Sequence, residues 1–158
     1  MLLSELDFIE PMKLVYQVRV EIEQNPDYVK DVQKLTLNQS KPTRGLNGTY
    51  GLYGSIEWLN NLESGVIPRK KIFGIIQSVY KVSMDESVGS DTMDILIDAD
   101  GKTVREGIYF NDENDLELFK AGKRVEILYY IEEMKAVDYA TGGKVKHEFV
   151  LEMAVSIP

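Results

Sequence analysis

The sequence predicts an α+β chain that is mainly β: a small antiparallel five-stranded barrel or sheet with one helix between strands three and four, preceded by a strand/helix extension. Three observations point there. Residues 72–82 (Ile72-Phe73-Gly74-Ile75-Ile76-Gln77-Ser78-Val79-Tyr80-Lys81-Val82) are dense in β-branched and aromatic side chains. The turn Asp98-Ala99-Asp100-Gly101 separates two further strand-like runs, 92–98 and 103–110, and closes a hairpin. Val125, Ile127, Tyr129 and Ile131, and then Phe149, Leu151, Met153, Val155 and Ile157, recur every second residue, the period of a half-buried strand.

The elements follow in order. Leu14, Tyr16, Val18, Val20 and Ile22 alternate with mainly polar residues, which predicts a strand over 14–23. Asn25-Pro26 reads as a helix start, Asn as cap and Pro at the first position, with Val29, Val32 and Leu35 as the apolar stripe. Residues 38–54 read as a long loop in which Gly45, Gly48, Gly51 and Gly54 are interleaved with Tyr50 and Tyr53. Ser55 then caps a short helix that Gly65 stops, and Trp58, Leu59 and Leu62 lie at helical spacing as a docking stripe. Gly74, inside the strongest strand, predicts a bulge or sharp bend. Asn111 reads as the cap of a helix over 111–120. Asp112, Glu113 and Asp115 open it, Leu116 and Phe119 form its apolar side, and Lys120 and Gly122 close it, the charge order that a helix dipole favours. The expected division is an extension over residues 1–65 packed on a barrel over 66–158, because the strand at 14–23 needs a cover for its apolar face.

At 158 residues, 44% hydrophobic and 28% charged, the chain can bury a core unaided and lies in the globular range. It has no cysteine, which excludes a disulfide framework, a thiolate zinc site and a cysteine nucleophile. No run approaches the roughly 20 apolar residues of a membrane span, and the first residues lack a secretory pattern, so the expectation is a cytoplasmic protein away from membranes.

Strand, strand, strand, helix, strand, strand over residues 66–158 resembles the OB-fold, a five-stranded Greek-key barrel, by element order alone. The resemblance implies a binding face on strands two and three and on the loops at 83–91 and 132–146. Nucleic acid is not the implied ligand here. The second strand and first loop carry Asp85, Glu86, Asp91, Asp94 and Asp98, where phosphate contacts need Lys or Arg.

Charge is the main functional signal. Net charge is −8, and between residues 85 and 117 eleven acidic residues face only Lys102 and Arg105. Such a stretch attracts basic surfaces and repels phosphate. Catalytic patterns do not assemble. His147 is the sole histidine and lacks a partner in sequence. Asp98-Ala99-Asp100-Gly101 puts Leu96 and Gly107 at the first and twelfth positions of a calcium loop, and neither can ligate. Ser78 and Lys81 point to opposite faces of a strand. Gly51-Leu52-Tyr53-Gly54-Ser55 lacks the lysine of a phosphate loop.

The reading is a non-enzymatic, acidic protein-binding domain, of inhibitor or immunity type, for a basic protein partner, with no metal and no cofactor. The contact set is Asp85, Glu86, Asp91, Asp94 and Asp98, joined by Tyr50 and Tyr53 as aromatic anchors. Two alternatives stand beside it: an OB-type module whose aromatic residues stack on an oligosaccharide or small ligand, and a hydrolase using paired carboxylates.

Overall fold

A computed structural model describes residues 2–6, 8, 10–86 and 89–158. The strands are β1 (Met12–Gln17), β2 (Arg69–Tyr80), β3 (Thr92–Ile97), β4 (Thr103–Gly107), β5 (Arg124–Val137) and β6 (Lys144–Ser156). The helices are α1 (Val18–Gln24), α2 (Pro26–Leu37) and α3 (Ile56–Glu63). The α+β, mainly β expectation holds, but the five-stranded closed barrel gives way to one open antiparallel sheet of six strands in the order β1-β6-β5-β2-β3-β4. The extra strand is β1, which the sequence pattern assigned to the extension. It pairs with β6 from Met12↔Ser156 to Gln17↔Glu152, with a bulge between Leu14 and Tyr16.

Two further expectations are corrected. The alternating run over 14–23 is a strand only to Gln17, after which Val18–Gln24 is helical. The backbone N–H of Gln17 donates to Asn111 Oδ1 (2.8 Å) and its carbonyl accepts from Asn111 Nδ2 (3.3 Å), which ends the ladder there. Val18 and Ile22 are also spaced for one helix face, so the same residues satisfy both periods. The helix expected over 111–120 is a 3₁₀ segment, Glu113–Leu118. The Asp112 side chain accepts from the Asn114 N–H, a local turn that selects tight i→i+3 bonding. Asn111 is therefore not its cap. Likewise α2 begins with Pro26 as expected, while the Asn25 side chain donates to Glu21 instead of capping.

The chain forms two compact units. The first holds the N-terminal segment to Gln17, Lys71–Leu128 and Leu151–Pro158; the second holds Val18–Lys70 and Tyr129–Val150. Residues 18–65 thus fall in the second unit and residues up to 17 in the first. The first unit's core includes Met93, Ile95, Val125, Ile127, Met153 and Val155, all fully buried. Within it Gly74 faces β3 so closely that a Cβ would sit 2.1 Å from the Leu96 carbonyl oxygen. The register shift of the β2–β3 pair lies just beyond, between Ile76 and Ser78.

The second unit is organised by Trp58. Ser55 Oγ accepts from the Trp58 N–H (3.2 Å) and caps α3 as expected. The fully buried Trp58 ring meets Tyr53 at 4.9 Å and Tyr130 at 5.4 Å, both edge-on, and Tyr130 stacks on Phe149 at 5.5 Å. The end of α2 is closed by Lys135 of β5, whose ammonium donates to the Leu35, Asn38 and Lys41 carbonyls at 2.6, 3.2 and 3.3 Å. A cation on the last carbonyls of a helix meets both their hydrogen-bonding need and the dipole.

Candidate functional site

The acidic residues singled out in the sequence lie in the first unit, where the chain's own groups engage several of them. Asp91 accepts from the backbone N–H groups of Val82 and Ser83, both at 2.8 Å, and from the Thr92 hydroxyl at 2.9 Å. Those donors favour the charged form and hold its carboxyl below the usual carboxylate range. Asp91 thereby fixes the start of the β2–β3 loop. Ser87 and Val88 of that loop lie outside the described residues.

Asp94 is the hub of the outward face of β2, β3 and β4. It pairs across strands with Ser78 and Arg105. Its carboxylate accepts from Tyr80 Oη at 2.7 Å and Ser78 Oγ at 3.3 Å, with Arg105 Nε at 3.9 Å. The bond to Asp94 raises the Tyr80 phenol above its ordinary value, with desolvation adding to it and the Arg105 charge opposing. Arg105 also lies over the Tyr80 ring, 5.5 Å from its centroid. Asp98, at the end of β3, pairs with Arg124 at 2.6 Å. Arg124 and Lys71 both lie over the Phe73 ring, at 5.4 and 5.8 Å. Those two cations, with Leu6, Phe8, Glu10, Met12 and Glu126, line a pocket of about 320 Å³. Asp85 and Glu86 are exposed at the tip of the loop.

The structure therefore brings Asp85, Glu86, Asp91, Asp94 and Asp98 onto the β2–β3 hairpin and its loop. Tyr50 and Tyr53 belong to the second unit. Tyr53 is buried, with burial first and then nearby Tyr28 and Glu21 raising its phenol. Tyr50 is half-buried, and its carbonyl accepts from Asn61 at 3.0 Å. Of the two, Tyr50 presents surface and Tyr53 packs under Trp58.

Sequence reading missed the buried carboxylates. Glu132 on β5 is 1% exposed and accepts from the Trp58 indole N–H at 3.3 Å. Burial pushes its carboxyl up to about 7, against the lowering effect of that bond. Glu152 on β6 is equally buried and accepts from the Leu3 N–H (2.8 Å) and Gln17 Nε2 (3.2 Å). Asp115 pairs with Lys13 at 2.5 Å, which raises the lysine. A charged residue breaking an apolar run, as Glu132 and Glu152 do, is a weak signal for such sites.

His147 is exposed and tilted on Phe149 at 4.6 Å. Among the described residues no group of three or more acidic or histidine side chains is placed to hold a metal ion, and no helix is long and apolar enough to cross a membrane. The family model described as immunity protein RhsI2 matches residues 12–156. No curated protein matches the chain.

Proposed function

Because the chain belongs to the RhsI2 immunity-protein family, we propose that it protects by binding its toxin through a surface that is acidic and complementary to a basic toxin face. An immunity-type protein and a protein toxin as partner follow from the family itself. The basic character of the toxin rests on one observation, the eleven acidic residues against two basic ones between 85 and 117.

The contact set of this reading in the first unit is Asp85, Glu86, Asp91, Asp94 and Asp98. Asp91, Asp94 and Asp98 are held by hydrogen bonds and by Arg124, so their charges stand in fixed positions and need little ordering on association. Asp85 and Glu86, exposed on the loop, contribute to long-range attraction. In the second unit, taken by itself, half-buried Tyr50 is a separate aromatic contact of this reading, and Tyr53 supports it from the packed cluster.

The test is capture from the native cell extract with the tagged chain at low and at high salt, followed by mass spectrometry and then affinity measurement with the purified toxin. A basic toxin whose association slows steeply with salt is the expected result. An acidic toxin, or association indifferent to salt, overturns the charge-complementary reading. The variant Glu86→Lys isolates the attraction, since this residue is exposed. Asp98→Lys would also place two cations side by side with Arg124.

A further inference from the structure

The two edges of the sheet are not equivalent. At β1 the outer side is covered: the Asn111 N–H donates to the Val15 carbonyl (2.9 Å), and its side-chain amide takes both the N–H and the carbonyl of Gln17. At β4 the phase of the ladder can be read from its two ends. Ile97 N–H donates to the Lys102 carbonyl (2.8 Å) and Ile108 N–H to the Asp91 carbonyl (2.9 Å). The register between them runs unbroken from Leu96↔Thr103 to Thr92↔Gly107. Antiparallel residues alternate between bonding inward and pointing their backbone groups away. Lys102, Val104, Glu106 and Ile108 therefore bond to β3, and Thr103, Arg105 and Gly107 turn outward. The Gly107 N–H is taken by Glu106 Oε1 at 2.8 Å. Thr103 and Arg105 are exposed, and their outward N–H and carbonyl groups form an open edge.

Their side chains leave that edge accessible. Arg105 is drawn onto the sheet face by Tyr80 and Asp94, and the Thr103 hydroxyl donates to Gln77 Oε1 at 3.0 Å. Among the described residues this edge carries no proline, bulge or covering segment, and such an exposed edge is a template for an added strand.

We infer that the outer edge of β4 at Thr103–Arg105 receives an extended, basic segment of the toxin as an added strand. This deepens the binding reading above and rests on it. Main-chain hydrogen bonds supply the hold. Selection comes from the wider field: although Lys102 and Arg105 lie at this edge and Asp98 is paired with Arg124, the surrounding stretch sets eleven acidic residues against those two cations, which favours Lys and Arg on the incoming segment and repels an acidic one.

The test uses the full chain and the purified toxin identified by capture. Arg105→Pro removes an N–H that the internal ladder does not use, and Arg105→Ala controls for loss of the side chain. Arg105→Pro is expected to bind the toxin about tenfold or more weakly than Arg105→Ala, with a melting temperature close to it. Equal affinities of the two variants, with wild-type binding intact, overturn the edge inference and leave the immunity reading standing. Failure of the wild-type chain to bind the toxin overturns both. A self-associating chain whose dimer, and not its toxin complex, is lost in Arg105→Pro assigns the edge to a second copy and also overturns the inference. Should Arg105→Pro unfold, amide hydrogen exchange on the wild-type complex decides: slowing at Thr103 and Arg105 supports the added strand, and unchanged exchange refutes it.

Discussion

Glu132 shows how one residue sets a pH dependence. Its carboxyl is raised from the ordinary 4.5 to about 7 because it is buried beside Trp58. The folded chain therefore holds a proton that the unfolded chain releases, and the stabilisation is fully present below about pH 4.5 and lost as pH rises through 7. The shift is worth on the order of 3 kcal/mol. Glu132→Gln keeps an oxygen for the indole N–H and removes the charge, so it is expected to match wild type near pH 5 and to exceed it near pH 8. Urea denaturation at both pH values measures this; a variant no more stable at pH 8 than the wild type would show that the burial cost is compensated elsewhere. Trp58 lies on the same contact. Trp58→Ala is expected to cost about 3–5 kcal/mol, read from the same unfolding curves, because it leaves both a cavity and a buried carboxylate without its donor. Neither cost was legible in the sequence. Helical spacing marked Trp58 as buried, but nothing local couples it to a residue 74 positions away.

The elements divide between those that local chemistry decides and those that distant partners decide. α3 was legible from end to end, because Ser55 and Gly65 are the chemistry of its own termini. Gly74 was legible as irregular, and the structure supplies the reason: backbone lies where a side chain would begin. Gly74→Ala must push β2 from β3, and a loss of about 3 kcal/mol or more is expected in chemical denaturation. The run over 14–23 was misread after Gln17, since its apolar residues fit two periods and the choice is made by Asn111, 94 positions away. Asn111→Ala frees both Gln17 backbone groups at once, and a drop of about 2 kcal/mol is expected in thermal or urea unfolding. The same Asn111 was read as a helix cap, a role that its residue type suits equally well.

For the whole molecule, the charge distribution was the most informative property in the sequence, and it led to an immunity-type reading that the family match supports. The sheet was less legible. Element order suggested closure into five strands, whereas pairing β1 with β6 makes a sixth, and no local pattern announces a partner at the far end of the chain. With net charge −8, the association rate with a basic toxin is expected to fall at least tenfold between about 10 and 150 mM salt while dissociation changes little, as stopped-flow kinetics would report.

The pairing of Gln17 with Glu152 spans 135 residues and has a consequence for when protection begins. A ribosome adding roughly 5–20 residues per second needs on the order of 10 s to make the intervening chain. Until β6 emerges, β1 has no neighbour and β5 lacks one of its two. The six-stranded sheet therefore cannot assemble before β6 has been made, and its formation waits for that strand. Protection by this chain therefore begins only once β6 has joined β1 to β5.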